Sequence, residues 1–111
     1  MKKTLILGIA ILGAALVSST AFAADAKETW EKSCAKCHGS DGKGQTKMGQ
    51  KMGCKDFTDA KVQADMKDDA AFKAIKEGLK SEDGKTLMKP FDTLTDDEIK
   101  ALVAYVRSMK K

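Results

Sequence analysis

An all-helical domain is predicted, on three observations. Apolar residues recur at helical spacing, no alternating run is long enough to suggest a sheet, and residues 94–99 hold a complete helix-start signature. A leader precedes the domain. Lys2 and Lys3 are followed by an apolar run from Leu5 to Val17 and then by small residues ending in Ala21-Phe22-Ala23, the layout of a secretory signal cut after Ala23. The apolar run spans 13 residues, against the roughly 20 of a membrane-crossing helix, so no stable membrane insertion is expected. No Cys lies near the cut, which argues against a lipid-modified start. Residues 1–23 are thus expected to be a cleaved signal and residues 24–111 a single exported domain.

The first helix is expected from about Asp25 into the Cys34 region, with Ala26, Trp30, Cys34 and Cys37 on roughly one face. The run Gly39-Ser40-Asp41-Gly42-Lys43-Gly44 should end it, and Gln45 to Asp56, punctuated by further Gly and Cys, should meander. A short helix is expected over Asp59 to Met66. A better one follows from Asp69 to about Leu79, with Phe72, Ile75 and Leu79 as its apolar stripe, stopped by Gly78 and the Ser81-Glu82-Asp83-Gly84 cluster. The last helix is the best defined. Thr95 lies three residues before Glu98, a capping box, and Leu94 and Ile99 occupy the positions of a hydrophobic staple. Beyond them Ile99, Leu102, Val103 and Val106 repeat at helical spacing, with Tyr105 beside them.

Composition narrows the class. The 88 residues left after the expected cut contain only Trp30, Phe57, Phe72, Phe91 and Tyr105 as large aromatics. A core this sparse is marginal without a ligand or crosslink. Setting aside Lys2 and Lys3 from the 20 basic residues leaves 18 against 16 acidic ones. So weak and mixed a charge gives no general case for nucleic acid or membrane affinity.

The chemistry-bearing motif is Cys34-Ala35-Lys36-Cys37-His38, the C-x-x-C-H pattern of covalent haem attachment. Two thiols three positions apart can each add across one porphyrin vinyl group, and the His that follows is then held against the iron. A thioether tether suits an exported protein, which would otherwise lose its cofactor by dilution. Three other readings compete. A redox-active dithiol of the thioredoxin type needs a βαβ context, and none is visible. A structural zinc site would need all three Cys together with the single His. A structural Cys34–Cys37 disulfide with His38 on the surface is compatible with export but leaves nothing to fill the centre of the domain.

Together with Trp30 four residues before Cys34, the Met88-Lys89-Pro90-Phe91 loop and the helix from Leu94 to Arg107, this motif makes the chain resemble the class I monohaem cytochromes c, the short bacterial periplasmic type in particular. The resemblance covers essentially all of residues 24–111. It implies a small all-α fold whose N- and C-terminal helices cross beside one haem c per chain, bound through Cys34 and Cys37. It further implies His38 and Met88 as axial iron ligands, Trp30, Leu102 and Tyr105 at the helix crossing, and Ala26 as the small residue permitting close approach there. The implied function is an electron carrier cycling between Fe(II) and Fe(III) through the haem edge, and not an enzyme. Two permanent axial ligands would keep reorganisation small, and an apolar pocket with a thioether ligand would favour reduced iron. A haem-based small-ligand sensor or a peroxide-reducing enzyme is the alternative; it needs a labile sixth position, which a stable Met88 ligand would close. Many relatives have a Pro after the motif whose carbonyl accepts the ring N–H of the proximal His. Here Pro90 is the only Pro, so another carbonyl, in Gln45 to Gly49, is expected to take that role.

Two groups of residues stay open to more than one reading. Cys54 is either a small buried hydrophobe or an exposed thiol through which an otherwise monomeric protein could dimerise. Lys43, Lys47, Lys51, Lys55 and Lys89 are either ordinary solvated loop lysines or, as the resemblance suggests, groups that steer an acidic redox partner protein.

Overall fold

The computed structural model describes residues 25–111; the expected signal peptide and its cleavage site lie outside them. The described chain opens in a helix over residues 25–38, α1, whose middle turn, Trp30–Cys34, is a π-turn closed by the Ala35 N–H donating to the Trp30 carbonyl. The remaining helices are α2 (Lys47–Met52), α3 (Ala60–Asp65), α4 (Asp68–Glu77) and α5 (Asp96–Ser108). Between α4 and α5 lies a two-stranded antiparallel hairpin, β1 (Leu79–Lys80) with β2 (Thr86–Met88), in the register Leu79 to Met88 and Lys80 to Thr86. Among the described residues no helix is long and apolar enough to cross a membrane.

The core sits where α1 crosses α5. Ala26, Trp30 and Cys34 from α1 close on Leu102 and Val106 from α5, with Tyr105, Phe57 and Ile75 at the edges. These two helices are far apart in sequence, and the apolar stripe of each is what holds them together. Cys37 does not share that stripe and is only half-buried. A π-turn inserts an extra residue, so the side chains after it are rotated out of phase with Ala26, Trp30 and Cys34.

Two further differences from the sequence reading have local causes. Residues 47–52 are helical instead of meandering: Thr46 caps α2 by accepting the Gly49 N–H at 2.9 Å, and its hydroxyl donates to the Cys37 carbonyl at 2.6 Å. Gly49 lies so close to the carbonyls of Cys37 and Gly44 that a Cβ there would collide with both. Here glycine permits close docking of α2 under the end of α1, and does not break the helix. The hairpin was not expected at all. Gly78, at φ +79°, ends α4 and turns the chain directly into β1. The Ser81-Glu82-Asp83-Gly84 stretch is the hairpin turn, with the Ser81 N–H bonded to the Lys85 carbonyl at 2.8 Å.

The α5 cap is as the sequence predicts. Glu98 N–H donates to Thr95 Oγ1 at 3.2 Å, and Thr95 N–H donates to Glu98 Oε1 at 3.1 Å. Because this cap launches the helix carrying Ile99, Leu102, Val103 and Val106, Thr95→Ala is expected to cost about 1–2 kcal/mol of stability in equilibrium denaturation of the haem-loaded protein. Thr95→Ser should recover most of that loss.

Candidate functional site

The end of α1 carries three of the four candidate ligands. Cys34 is buried, while Cys37 and His38 are half-buried, and none of the three cysteines is in a disulfide. Burial first, and then the neighbouring Cys37, pushes the Cys34 thiol up to about 11. Burial, and again Cys37, also raises Cys54 above its ordinary value. A redox-active dithiol depends on the opposite, a cysteine acidified at a helix N-terminus or by a cation. The unbridged thiols likewise do not form the structural disulfide considered above. Among the described residues no three His, Cys, Asp or Glu side chains come together as a metal-ligand group, so the zinc set of three cysteines and His38 is not assembled.

His38 is ringed by aromatic side chains. Its ring centroid lies 5.4 Å from that of Trp30 and 5.3 Å from that of Phe57. Trp30 packs in turn against Tyr105 at 5.8 Å, and its indole N–H donates to the Gly39 carbonyl at 2.9 Å. Burial lowers the His38 pKa, which favours the neutral imidazole, the form in which a nitrogen lone pair is available to a metal. The Nδ1 atom is buried and has no hydrogen-bond partner among the described residues. The carbonyl acceptor expected within Gln45 to Gly49 is therefore not found. That stretch is drawn into α2 and its cap, where the Gln45 carbonyl instead accepts Gln50 Nε2 at 3.0 Å.

The fourth candidate, Met88, belongs to a different element. It ends β2, half-buried, opposite Leu79. Its surroundings are held on both sides: the Gly78 backbone packs against the Met88 carbonyl and Pro90, and the Phe91 N–H donates to the Ile75 carbonyl at 2.9 Å. Cys54 is neither fully buried nor fully exposed, and its N–H bonds to the Gly49 carbonyl at 2.8 Å. Lys47, Lys51, Lys55 and Lys89 are exposed and Lys43 is half-exposed. Among the described residues the ion pairs involve Lys32, Lys61, Lys73, Lys76 and Arg107, and none of those five loop lysines. A cavity of about 620 Å³ opens between α4 and α5 over Phe72 and Val103, and none of the four candidate residues lines it.

Two functional neighbours escaped the sequence reading. Phe57 sits against His38, and the buried Gln63 ties Phe57 to α5: Gln63 Nε2 donates to the Phe57 carbonyl at 2.7 Å and to the Val106 carbonyl at 2.8 Å. Neither belongs to a motif. A Gln in a short polar helix carries no signal of burial, since its partners lie on other elements.

The donor set fits a covalently held haem on two grounds internal to the structure. Both thiols of the motif are unbridged, and the imidazole beside them, its pKa lowered by burial, has its buried Nδ1 unpaired among the described residues. A small helical domain with this motif at the end of an N-terminal helix packed across the C-terminal one is a class I c-type cytochrome. Residues 21–106 match the family described as cytochrome c oxidase, cbb3-type, subunit III, and the chain belongs to that family of monohaem cytochrome c domains. Among solved structures it is similar to the KustC0563 c-type cytochrome at 37% identity and a TM-score of 0.66, over 78% of this chain and 98% of that one. Cytochrome CL from the marine methylotrophic bacterium Methylophaga aminisulfidivorans MPT shares the fold at 22% identity and a TM-score of 0.56, over 82% of this chain and 55% of that one. No match is found among curated proteins. As a c-type cytochrome the protein is a haem-based electron carrier, and the family implies haem c bound covalently.

Proposed function

We propose that the protein is a periplasmic one-electron carrier holding one haem c, with thioether bonds to Cys34 and Cys37 and with His38 and Met88 as axial ligands. The reading is carried by the juxtaposition, at the end of α1, of two unbridged thiols and a half-buried imidazole packed against Trp30 and Phe57. When bound, haem supplies reversible Fe(II)/Fe(III) exchange. The chain's own residues do the rest. Trp30 and Phe57 cover the imidazole side, and the hairpin fixes the Met88 backbone opposite Leu79, from which its thioether would reach the iron. The loop lysines Lys43, Lys47, Lys51, Lys55 and Lys89 would steer an acidic redox partner protein. The carrier works as a monomer, and Cys54 is the thiol through which a second copy could be joined under oxidation.

Met88 is the ligand most open to test, because chain reach does not select it. Even the ten residues from His38 to Met48 can extend about 33 Å. Met52 is the strongest rival, since it lies next to the left-handed Gly53 at the end of α2. The ferric, haem-loaded Met88→Ala and Met52→Ala proteins are to be compared in the red, where a sulfur-to-iron charge-transfer band is expected, with imidazole or cyanide as probes of an open site. Loss of the band and rapid probe uptake in Met88→Ala alone is the expected result. An unchanged band in Met88→Ala would overturn the assignment and revive the small-ligand or peroxide-reducing function.

A further inference from the structure

We propose that Gly78 is a positioning residue for Met88: its bare backbone at the end of α4 lets the Met88–Pro90 segment lie close, and a side chain there would carry the thioether away from the iron. The inference rests on Met88 being an axial ligand, as proposed above. Two independent features reserve the position for glycine. Its backbone, at φ +79° and ψ −179°, occupies a region that residues with a Cβ scarcely enter. A Cβ built there would also stand 2.5 Å from the Met88 carbonyl oxygen, 2.9 Å from Pro90 N and 3.1 Å from Pro90 Cδ. Ordinary van der Waals contact begins near 3.4 Å, so the two segments would have to part by most of an ångström. All three atoms belong to backbone or to a proline ring, and none can swing aside as the end of a flexible side chain would.

Which side gives way is decided by how each is held. Gly78 closes α4, its N–H donating to the Ala74 carbonyl at 2.9 Å. Helix α4 is bridged to α5 by Lys76 with Asp96 and by Arg107 with Asp68, and its Ile75 packs against the core. The Met88 side is held more lightly. Strand β2 is three residues long and ends at Met88, where its pairing with Leu79 stops. Lys89 and Pro90 are exposed, and Pro90 has no N–H to donate. The next anchor is the Phe91 N–H on the Ile75 carbonyl, at 2.9 Å. Between the strand and that bond Met88–Pro90 forms an arch, and the arch is the part that moves. A functional group must be held to within about 0.5 Å of its working place, so the displacement a Cβ demands is enough to loosen the thioether. The sixth position then opens to small ligands, the property that separates a carrier from the ligand-binding alternative.

The test uses the full haem-loaded protein with Gly78→Ala and Gly84→Ala. Gly84, in the turn of the same hairpin, is the control: its φ is +84°, and nothing lies within 4 Å of a Cβ built there. Gly78→Ala is expected to keep its helicity by circular dichroism, to weaken or lose the ferric sulfur-to-iron band in the red, and to bind imidazole on the order of tenfold more tightly. Gly84→Ala should match the wild type in all three. A wild-type band and imidazole affinity in Gly78→Ala would overturn the proposal, as would an equal loss in both variants, which would trace the effect to strain in the hairpin at large. If Gly78→Ala does not accumulate, hydrogen exchange of the wild type reads the same arch: imidazole should release the Phe91 N–H while the Gly78 N–H stays protected. Release of both together would overturn the proposal. An unchanged band in Met88→Ala would instead overturn the underlying ligand assignment, so the two failures are told apart.

Discussion

Replacing both Cys34 and Cys37 by alanine is expected to abolish covalent haem entirely, the largest single effect that follows from this site. The two thiols sit one helical turn apart on α1, unbridged, and no other pair of cysteines in the chain has that spacing. Cys54 is the remaining thiol, on a separate segment after α2. Protein exported by cells with haem-attachment machinery is to be examined by denaturing mass spectrometry. The wild type should show one haem added to residues 24–111, the double variant the bare polypeptide, and each single variant at most one residual thioether. Recovery of the bare chain from wild-type protein in competent cells would sink the covalent-haem reading, and a mass including residues 1–23 would remove the cleavage site. The double variant should also lose helicity, because a domain with five large aromatics relies on its ligand for much of its core.

Truncating Trp30 to alanine is expected to cost on the order of 3–5 kcal/mol. Trp30 is 3% exposed and packs against Tyr105 and the α5 stripe on one side and His38 and Phe57 on the other. The change removes a large buried side chain and the indole donor to the Gly39 carbonyl, at the junction of the two helices that define the core. Equilibrium denaturation of haem-loaded wild type and Trp30→Ala keeps the covalent group in both reference states. A loss below about 1 kcal/mol would place Trp30 outside the core. Trp30→Phe should recover the packing but not the hydrogen bond, and so should fall between the two.

The features legible in the sequence are those whose partners lie within a turn of one another. The Thr95–Glu98 capping box needs residues three apart, and its reciprocal bonds form in the structure. The stripes Ala26-Trp30-Cys34 and Ile99-Leu102-Val106 need only helical spacing, and Leu102 and Val106 meet the first stripe in one cluster. The C-x-x-C-H motif is likewise contiguous. The hairpin was invisible because strands of two and three residues are too short to alternate, and because a positive-φ glycine such as Gly78 serves a helix end and a turn into a strand equally well. Helix α2 was masked by Gly49, which reads as a break but is required by the approach of the Cys37 carbonyl.

By itself, then, the sequence determined the helical class, the apolar stripes of the first and last helices, and the residues proposed to hold a haem, since spacing and side-chain type are local properties. Only the tertiary structure decided what surrounds His38. The Phe57 ring against the imidazole and the buried Gln63 bonded across to Val106 join residues from 6 to 43 positions apart. Such contacts arise when the chain closes on its core and polar groups removed from water must find partners wherever the packing has put them, a choice no local pattern records.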